Sequence, residues 1–409
     1  MQDHMPNLAS EFLVFKMTAC QYVITCSLVA SRQSCSYINA LRLKGSFAAI
    51  INQLAIENIG VMSFTGDGAN ENVQFQKSSC DTALQDFLSD DTKALFTKYG
   101  IEDYLDYEPA MKDPYTYDLI FALEDMPHLL KRMVNALNNS SRDAESRDLH
   151  HGEQCLNLNM IKYIWELTGG NGPGTHDTKC KELHFEKDNF SKQRVYLSAQ
   201  VVSQSVINMI NSAFEDDEMK RQISHTRDEY EPLVQFCAHI NRYTDIINGR
   251  DGTKSYKAYW TPNNAMSVMD ELLNIFSWFH KWEKKNESLH LPKTKFLPHE
   301  TWNGFKRMIF GYVGMIDYYV KGRGMTIVPK RTTSDPCEHL FSTMRYNSGS
   351  TNAVTTKSAN ETVIRHNFVN AIKPQPGVGG CYSHAPTLFD DTNVVIPEMN
   401  RKKFSILKG

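Results

Sequence analysis

The chain has 409 residues, of which 41% are hydrophobic, and a net charge of −3. These values indicate a folded protein with one large domain and an insertion, or with two to three domains of ordinary size. They exclude a broadly basic surface, so contacts with nucleic acid would depend on local clusters such as Lys330-Arg331, Arg401-Lys402-Lys403 or Lys192 with Arg194. Nine cysteines without Cys-x-x-Cys pairs favour reduced intracellular thiols over a disulfide framework.

The first 65 residues predict a β-β-α-β order. The predicted elements are strands at 12–17 and 22–29, a helix at 45–58 and a strand at 59–65. Lys16, Gln21 and Ser27 interrupt the apolar stretch between 12 and 29, which therefore fits two adjacent strands better than a membrane span. No signal peptide is recognisable.

Asp67 follows the last of these strands, in the motif Phe64-Thr-Gly-Asp-Gly-Ala-Asn-Glu-Asn72. We expect it at the carboxyl end of a strand, where open α/β sheets place their chemistry. The same letters are also typical of a turn in which the aspartate accepts hydrogen bonds from nearby backbone amides. Both interpretations stay open.

A helix at 80–88 and an apolar strand at 119–123 are predicted next, leading to Asp125-Met-Pro-His-Leu-Leu-Lys131. His128 is a candidate to orient a carboxylate or a phosphate, although a histidine at a helix start is more often structural. Asp125 is a candidate N-cap of that helix, with Pro127 in its first turn. We therefore treat both residues as supporting the motif and not as metal ligands. The first 150 residues are predicted to form an α/β sheet domain.

The chain then becomes mainly helical, with a boundary near the polar segment 138–152 and the glycine-rich segment 169–174. Amphipathic helices are predicted at 195–214, 230–247 and 266–282, which indicates an all-α insertion over residues 151–328. Residues 329–370 would return the chain to the first domain through a helix that carries Glu338. The remaining segment, 371–409, is predicted to be an irregular tail.

Glu338 lies in Asp335-Pro-Cys-Glu-His-Leu-Phe341. Asp67 and Glu338 could share Mg²⁺ or Mn²⁺, because hard divalent cations prefer carboxylate oxygens. Two such ions would clamp the attacking and leaving oxygens of a phosphoryl displacement, as in a metal-dependent nuclease. The competing interpretation is a capping box with Asp335 as N-cap, Pro336 at the first helical position and Glu338 three residues after the cap.

Three motifs in this order resemble the P-element-like transposase family: Asp67-Gly-Ala-x-x-Asn72, Asp125-x-Pro-His-Leu-Leu-Lys131, and Asp335-Pro-x-Glu-x-x-Phe341 with Arg345 and Gly349. The segments 190–202 and 241–250 are similar to that family as well. The resemblance implies an RNase H-like mixed sheet domain interrupted by a mainly α-helical GTP-binding insertion. It also implies Mg²⁺-dependent DNA cleavage and strand transfer at transposon ends, with Asp67 and Glu338 as the second and third metal-binding acids.

The chain departs from the family at its start. The family's first aspartate lies on the opening strand of the sheet, and residues 11–17 resemble a later strand. We therefore expect a chain truncated at its amino terminus, with impaired or no catalysis. A non-catalytic module that binds DNA, nucleotide or protein is the alternative.

Guanine-nucleotide binding follows from the resemblance alone, because the sequence has no Gly-x-x-x-x-Gly-Lys-Ser/Thr loop. Its candidate residues are Asn241, Asp245 and Asn248, with Asp335 approaching from the catalytic side. The competing interpretation for each is a solvated or capping residue. Nuclear residence is expected from the DNA substrate, with the cytoplasm as the alternative, and self-association is compatible with the resemblance.

A separate hypothesis concerns zinc. His176, Cys180 and His184 recur at four-residue spacing, which would place them on one helical face, but no fourth ligand is evident.

Overall fold

The computed structural model describes residues 11–16, 29–34, 40–140, 147–170, 178–186, 194–249, 258–347 and 361–362. Its strands are β1 (Glu11–Lys16), β2 (Val29–Ser34), β3 (Ser63–Gly66), β4 (Ala110–Lys112), β5 (Leu119–Glu124), β6 (His150–His151) and β7 (Gln154–Cys155). Its α-helices are α1 (Ala40–Ile56), α2 (Asn70–Ser79), α3 (Asp90–Tyr99), α4 (Met126–Asn139), α5 (Leu158–Leu167), α6 (Val195–Val201), α7 (Gln204–Glu215), α8 (Asp217–Gln222), α9 (Arg227–Ile247), α10 (Ala265–Ser288), α11 (His299–Met315) and α12 (Asp335–Asn347).

The central sheet has the strand order β3-β5-β4. β5 is parallel to β3, with Gly66 opposite Glu124, and antiparallel to β4. All six residues of β5 are buried, as expected of an apolar strand with a neighbour on each side. The strand predicted at 119–123 is therefore confirmed.

β1 and β2 form a separate antiparallel pair, with Glu11 opposite Ser34. No pairing joins this hairpin to the central sheet among the described strands. The first predicted strand is confirmed. The second described strand, Val29–Ser34, lies later than the predicted 22–29, and residues 21–28 are outside the described ranges.

The two faces of the central sheet contact different hydrophobic clusters, because successive side chains of a strand point to opposite faces. Ile120 packs in a small cluster with Leu43, Phe47 and Ile51 of α1 and Phe75 of α2. Leu119, Phe121 and Leu123 belong to the large cluster that continues through the helical part of the protein. The sheet thus separates a minor core from the main core.

Helix α11 lies directly against β5 in the main core. A Cβ atom at Gly311 would lie 2.7 Å from Leu123 Cδ2 and 2.8 Å from the Ala122 carbonyl oxygen. A Cβ at Gly314 would lie 2.7 Å from Phe121 Cε1. These two glycines therefore allow the backbone of α11 to approach the central strand.

One predicted helix is wrong. Residues 80–88 contain only a 3-10 turn at Leu84–Asp86, and the preceding helix is α2. The amides of Asp81 and Thr82 both donate to the Ala110 carbonyl at 3.0 Å. Pairing with β4 therefore holds this segment extended in place of a helical turn.

The three amphipathic helices predicted beyond residue 151 are confirmed. The segment 195–214 is divided into α6 and α7, and the other two correspond to α9 and α10. The short hairpin β6–β7 precedes α5, so the described part of the chain from residue 150 to residue 328 is mainly, not wholly, helical. Within the described ranges, every helix is too short or too polar to cross a membrane.

Candidate functional site

Asp67 directly follows β3, as predicted. Its Oδ1 accepts hydrogen bonds from the Ala69 amide at 3.1 Å and from Asn72 Nδ2 at 2.7 Å. This is the Asx turn of the competing interpretation. Both bonds go to one oxygen, and Oδ2 accepts none from the described residues, which leaves that oxygen available to a ligand. The structural and functional interpretations of Asp67 are thus compatible.

Asp125 connects the end of β3, next to Asp67, with the segment that leads into α12. It directly follows β5, and its backbone amide donates to the Gly66 carbonyl at 2.9 Å, next to Asp67. Its Oδ1 accepts from the Ser334 amide at 2.8 Å, directly before α12. Its Oδ2 accepts from the His128 amide at 3.4 Å, which confirms the predicted N-cap of α4. Asp125 is fully buried and therefore acts as an internal anchor.

A second bond connects the same two segments. The Thr65 hydroxyl donates to the Thr332 carbonyl at 2.6 Å, across 267 residues of sequence. The Tyr312 and Thr332 hydroxyls are hydrogen-bonded at 2.7 Å, so α11 also holds the segment that contains Thr332. The loop that carries Asp67 and the segment that leads to Glu338 are therefore fastened to each other.

Glu338 lies in the first turn of α12, and its side chain is exposed. The helix begins at Asp335, and the Glu338 amide donates to the Ser334 carbonyl at 3.1 Å. Ser334, not Asp335, therefore stands in the cap position, and the predicted cap was displaced by one residue because Asp335 already has helical backbone. The side chain of Asp335 lies outside what the structure describes.

His128 orients the buried carboxylate. Its Nδ1 lies 2.6 Å from Asp125 Oδ2. The hydrogen bond with Asp125 raises the pKa of His128, while burial of the ring opposes the shift, and Glu338 adds a small raising contribution. The influence of Glu338 on His128 is consistent with the start of α12 facing the start of α4.

Sequence reasoning missed Glu124, Arg132 and Arg307. Glu124 is fully buried at the end of β5; its Oε1 accepts from Arg132 Nη2, and its Oε2 accepts from Arg307 Nη2 at 2.7 Å. The Arg132 side chain also crosses Gly68, where an added Cβ would collide with the guanidinium. The positively charged guanidinium of Arg132 therefore lies beside the loop of Asp67. The available signal was an acid at the end of a buried strand, which requires a basic partner.

The nucleotide candidates lie at one end of α9. Asn241 and Asp245 are on its last turns, and Asn248 is its C-cap residue. All three are half-buried. The neighbouring Gly249 carbonyl accepts a hydrogen bond from the Lys330 amide at 3.2 Å, which places this end of α9 beside the segment that precedes α12. This contact places Asn248, the residue before Gly249, near the segment that leads to Asp335.

The basic pair Lys330-Arg331 is not a free surface cluster, because Arg331 is buried. The zinc hypothesis for Cys180 and His184 also fails on geometry. His184 Nδ1 lies 2.9 Å from the Lys181 amide, and Nε2 lies 2.7 Å from Gln200 Oε1, so both ring nitrogens are engaged. His176 lies outside the described residues.

Asp67 and Glu338 carry carboxylates, the type of ligand that suits a hard divalent cation. Asp67 offers an oxygen without a partner among the described residues, and Glu338 is an exposed carboxylate. The backbone groups of Gly66, before Asp67, and of Ser334, before the helix of Glu338, are both bonded to Asp125. Mg²⁺ and Mn²⁺ prefer such oxygen ligands together with water. The arrangement is that of a mixed α/β domain with acidic groups at the ends of parallel strands, joined to a helical region.

Comparisons with known proteins show what the chain is similar to. Residues 127–259 match the family model described as TNP-like, GTP-binding insertion domain. The fold is similar to the solved structure titled Drosophila P element transposase strand transfer complex, with 15% sequence identity, a TM-score of 0.59, and coverage of 88% of this chain and 76% of that chain. No curated protein matches the chain. These findings confirm the resemblance to the P-element-like transposase family.

Proposed function

We propose that this protein is a P-element-type DNA transposase or a transposon-derived relative, in which an RNase H-like core performs DNA cleavage and strand transfer. The observation that carries the proposal is the junction at Asp125. Its hydrogen bonds with Gly66 and Ser334 connect the loop of Asp67 with the helix of Glu338. These bonds support the proposal because they join the two segments from which the acids extend.

Asp67 and Glu338 would hold Mg²⁺ or Mn²⁺ in this proposal. A divalent ion supplies charge stabilisation to the oxygens of a phosphoryl displacement when bound. Asp125 and His128 act as positioning residues: the first fixes the chain geometry, and the second holds the Asp125 carboxylate. Arg132 lies beside the Asp67 loop, where its pair with Glu124 holds the guanidinium in place.

DNA is the proposed partner because the similar solved structure is a transposase strand transfer complex. Transposon ends would be the substrate, the nucleus the site of action, and a homo-oligomer the working assembly. The chain is not broadly basic, so we expect DNA recognition to depend on local basic groups.

We further propose guanine-nucleotide binding at the end of α9, on the strength of the matched insertion-domain family. Carboxylate and amide side chains suit the donors on the edge of guanine. The helix carboxyl terminus repels phosphate, so we expect Asp245 to contact the base and not the phosphates. Asp245→Asn should weaken binding of fluorescent GTP at least tenfold, while Asp228→Asn, at the exposed start of α9, should not. Equal affinities of both variants would refute the assignment.

The decisive test is Mg²⁺- or Mn²⁺-dependent cleavage of labelled DNA by the chain, Asp67→Asn and Glu338→Gln. Asp86→Asn, an exposed acid away from the site, is the matched control. We expect each site variant to lose at least about 100-fold in rate, since each removes a charge that holds the metal, with the control unchanged. If the chain does not cleave DNA, the assay is repeated with any upstream coding sequence restored.

The second candidate is a non-catalytic binding module. The observation that favours it is that Asp67 and Asp125 already serve local structure, as an Asx turn and an N-cap. DNA binding without cleavage in both lengths of chain would establish this function and overturn the nuclease proposal.

A further inference from the structure

The hairpin β6–β7 brings together three side chains of different chemistry. Ligand atoms of Asp148, His150 and Cys155 all lie within 4.8 Å of one another. His150 Nε2 is 2.9 Å from Asp148 Oδ2, and Cys155 Sγ is 3.5 Å from Asp148 Oδ1. His150 and Cys155 are directly opposite each other in the hairpin. Sequence spacing did not reveal the cluster, because it depends on this pairing.

We propose that Asp148, His150 and Cys155 form a zinc site that is separate from the carboxylate site. One thiolate, one imidazole and one carboxylate are ligands that zinc accepts together, whereas Mg²⁺ and Ca²⁺ prefer oxygen alone. The three side chains are half-buried, so water can complete a fourth position. On binding, the thiol proton of Cys155 and any proton on Nε2 of His150 are released to solvent, and the thiolate and the neutral imidazole bind the metal.

The backbone that carries these ligands is fixed by neighbouring elements. The His150 carbonyl accepts from Trp282 Nε1 at 2.5 Å and from Asn286 Nδ2 at 2.7 Å, both on α10. Gly152, in the turn at φ +68°, donates its amide to Asn286 Oδ1 at 3.0 Å. The site is therefore largely organised before a metal arrives, which lowers the ordering cost of binding.

Two neighbouring side chains, Lys295 and Asn157, contact the proposed ligands and hold them in place. Lys295 Nζ lies 2.5 Å from Asp148 Oδ2, whereas Cys155 Sγ is bonded to Asp148 Oδ1. Asn157 Nδ2 lies 3.4 Å from Cys155 Sγ. Partners of this kind commonly hold metal-binding carboxylates and thiolates in place. Asp148 Oδ1, His150 Nε2 and Cys155 Sγ would face the ion, with Lys295 balancing the negative charge of the ligands.

The test is a cobalt titration of the full chain after treatment with a chelator. Co²⁺ bound to a thiolate gives a near-ultraviolet charge-transfer band, which zinc should then displace. We expect Cys155→Ser to abolish this band and His150→Gln to weaken cobalt affinity at least tenfold. Cys80→Ser is the matched control, since Cys80 is another half-buried thiol and lies outside the cluster. Circular dichroism establishes that each variant is folded.

A second readout is independent of spectroscopy. Zinc should raise the melting temperature of the unmodified chain and of Cys80→Ser, but not of His150→Gln, because a metal that binds only the folded state stabilises it. The absence of a cobalt band, or a band and a zinc-dependent melting shift that persist in both Cys155→Ser and His150→Gln, would overturn the proposal. Neither outcome depends on DNA cleavage.

Discussion

Glu124 is a single buried carboxylate that connects three elements. It lies on β5 and accepts hydrogen bonds from Arg132 of α4 and Arg307 of α11. Removal of one partner from a buried ion pair leaves the others without compensation, which is far more costly than loss of a surface pair. The stability of the sheet edge therefore depends strongly on this residue.

We predict that Glu124→Gln lowers the free energy of unfolding by about 3 kcal/mol, because two arginines lose their buried counter-charge. Glu57→Gln, at an exposed position after α1, is the control and should change stability by less than about 0.5 kcal/mol. Urea denaturation measures both. Similar values for the two variants would show that the Glu124 pairs add no net stability.

His239 makes stability depend on pH. It packs on Trp278 of α10, with ring centroids 5.1 Å apart, and burial lowers its pKa from 6.5 to about 4. Because the folded pKa is the lower one, the unfolded chain binds more protons between these values. The stabilisation is therefore complete above pH 6.5 and is lost as the pH falls towards 4.

We predict that His239→Phe is less sensitive to acid than the unmodified chain. Protonation linked to His239 should cost about 2 kcal/mol at pH 5, and phenylalanine cannot take up that proton. Unfolding free energies at pH 7.5 and pH 5 provide the measurement. His151 also has a pKa lowered to about 4, so part of the acid sensitivity should remain in the variant. If the variant and the unmodified chain lost the same unfolding free energy between pH 7.5 and pH 5, His239 would be excluded as a source of the acid sensitivity.

At the scale of elements, the contact between α11 and β5 determines the main core. Its close approach depends on Gly311, where a side chain would collide with the backbone and Leu123. We predict that Gly311→Ala destabilises the protein by about 2 kcal/mol through overpacking. Gly45→Ala is the matched control: Gly45 is also inside a helix, but nothing lies within 4 Å of an added Cβ.

The control should change stability in the opposite direction, by about 0.5 to 1 kcal/mol, because alanine favours an exposed helix. Thermal unfolding distinguishes the signs. If Gly311→Ala matched Gly45→Ala, the proposed close approach of α11 would be refuted.

Element types were largely predictable where the pattern was strong. The apolar run of β5 and the amphipathic repeats of α9 and α10 were sufficient to predict those elements. The extended segment after α2 was not predictable, since pairing of Thr82 with Ala110 overrides its local preference. At the candidate site, the sequence indicated Asp67, Asp125 and Glu338, but their connection through Asp125 depends on tertiary hydrogen bonds that no spacing encodes. Glu124 could have been noticed as an acid at the end of a buried strand, but its pairing with Arg132 and Arg307 depends on tertiary contacts.

At the scale of the whole molecule, the two cores differ greatly in size. The cluster of Leu43, Phe47, Ile51, Phe75 and Ile120 covers one face of the sheet, while the large cluster joins the other face to the helices. Regions with fewer buried apolar contacts open locally at lower free energy. The minor core should therefore open independently of the main core.

We predict that Phe47→Ala increases hydrogen exchange of backbone amides in α1 and α2 while those of α10 and α11 keep their protection. Truncation of a buried phenylalanine costs about 3 to 5 kcal/mol, which here would act on the smaller cluster. Exchange mass spectrometry resolves the two regions. An equal rise in all four helices would indicate one cooperative unit.

The bond between Thr65 and Thr332 has a consequence for the evolution of chain length. It closes a loop of 267 residues. The entropy lost on closure increases only with the logarithm of length, by about 0.6 kcal/mol per doubling. The segment between Thr65 and Thr332 could therefore become longer or shorter with little effect on the hydrogen bond between Asp125 and Ser334. Segments far apart in sequence can meet at one place because a long intervening chain adds little to the cost of closure.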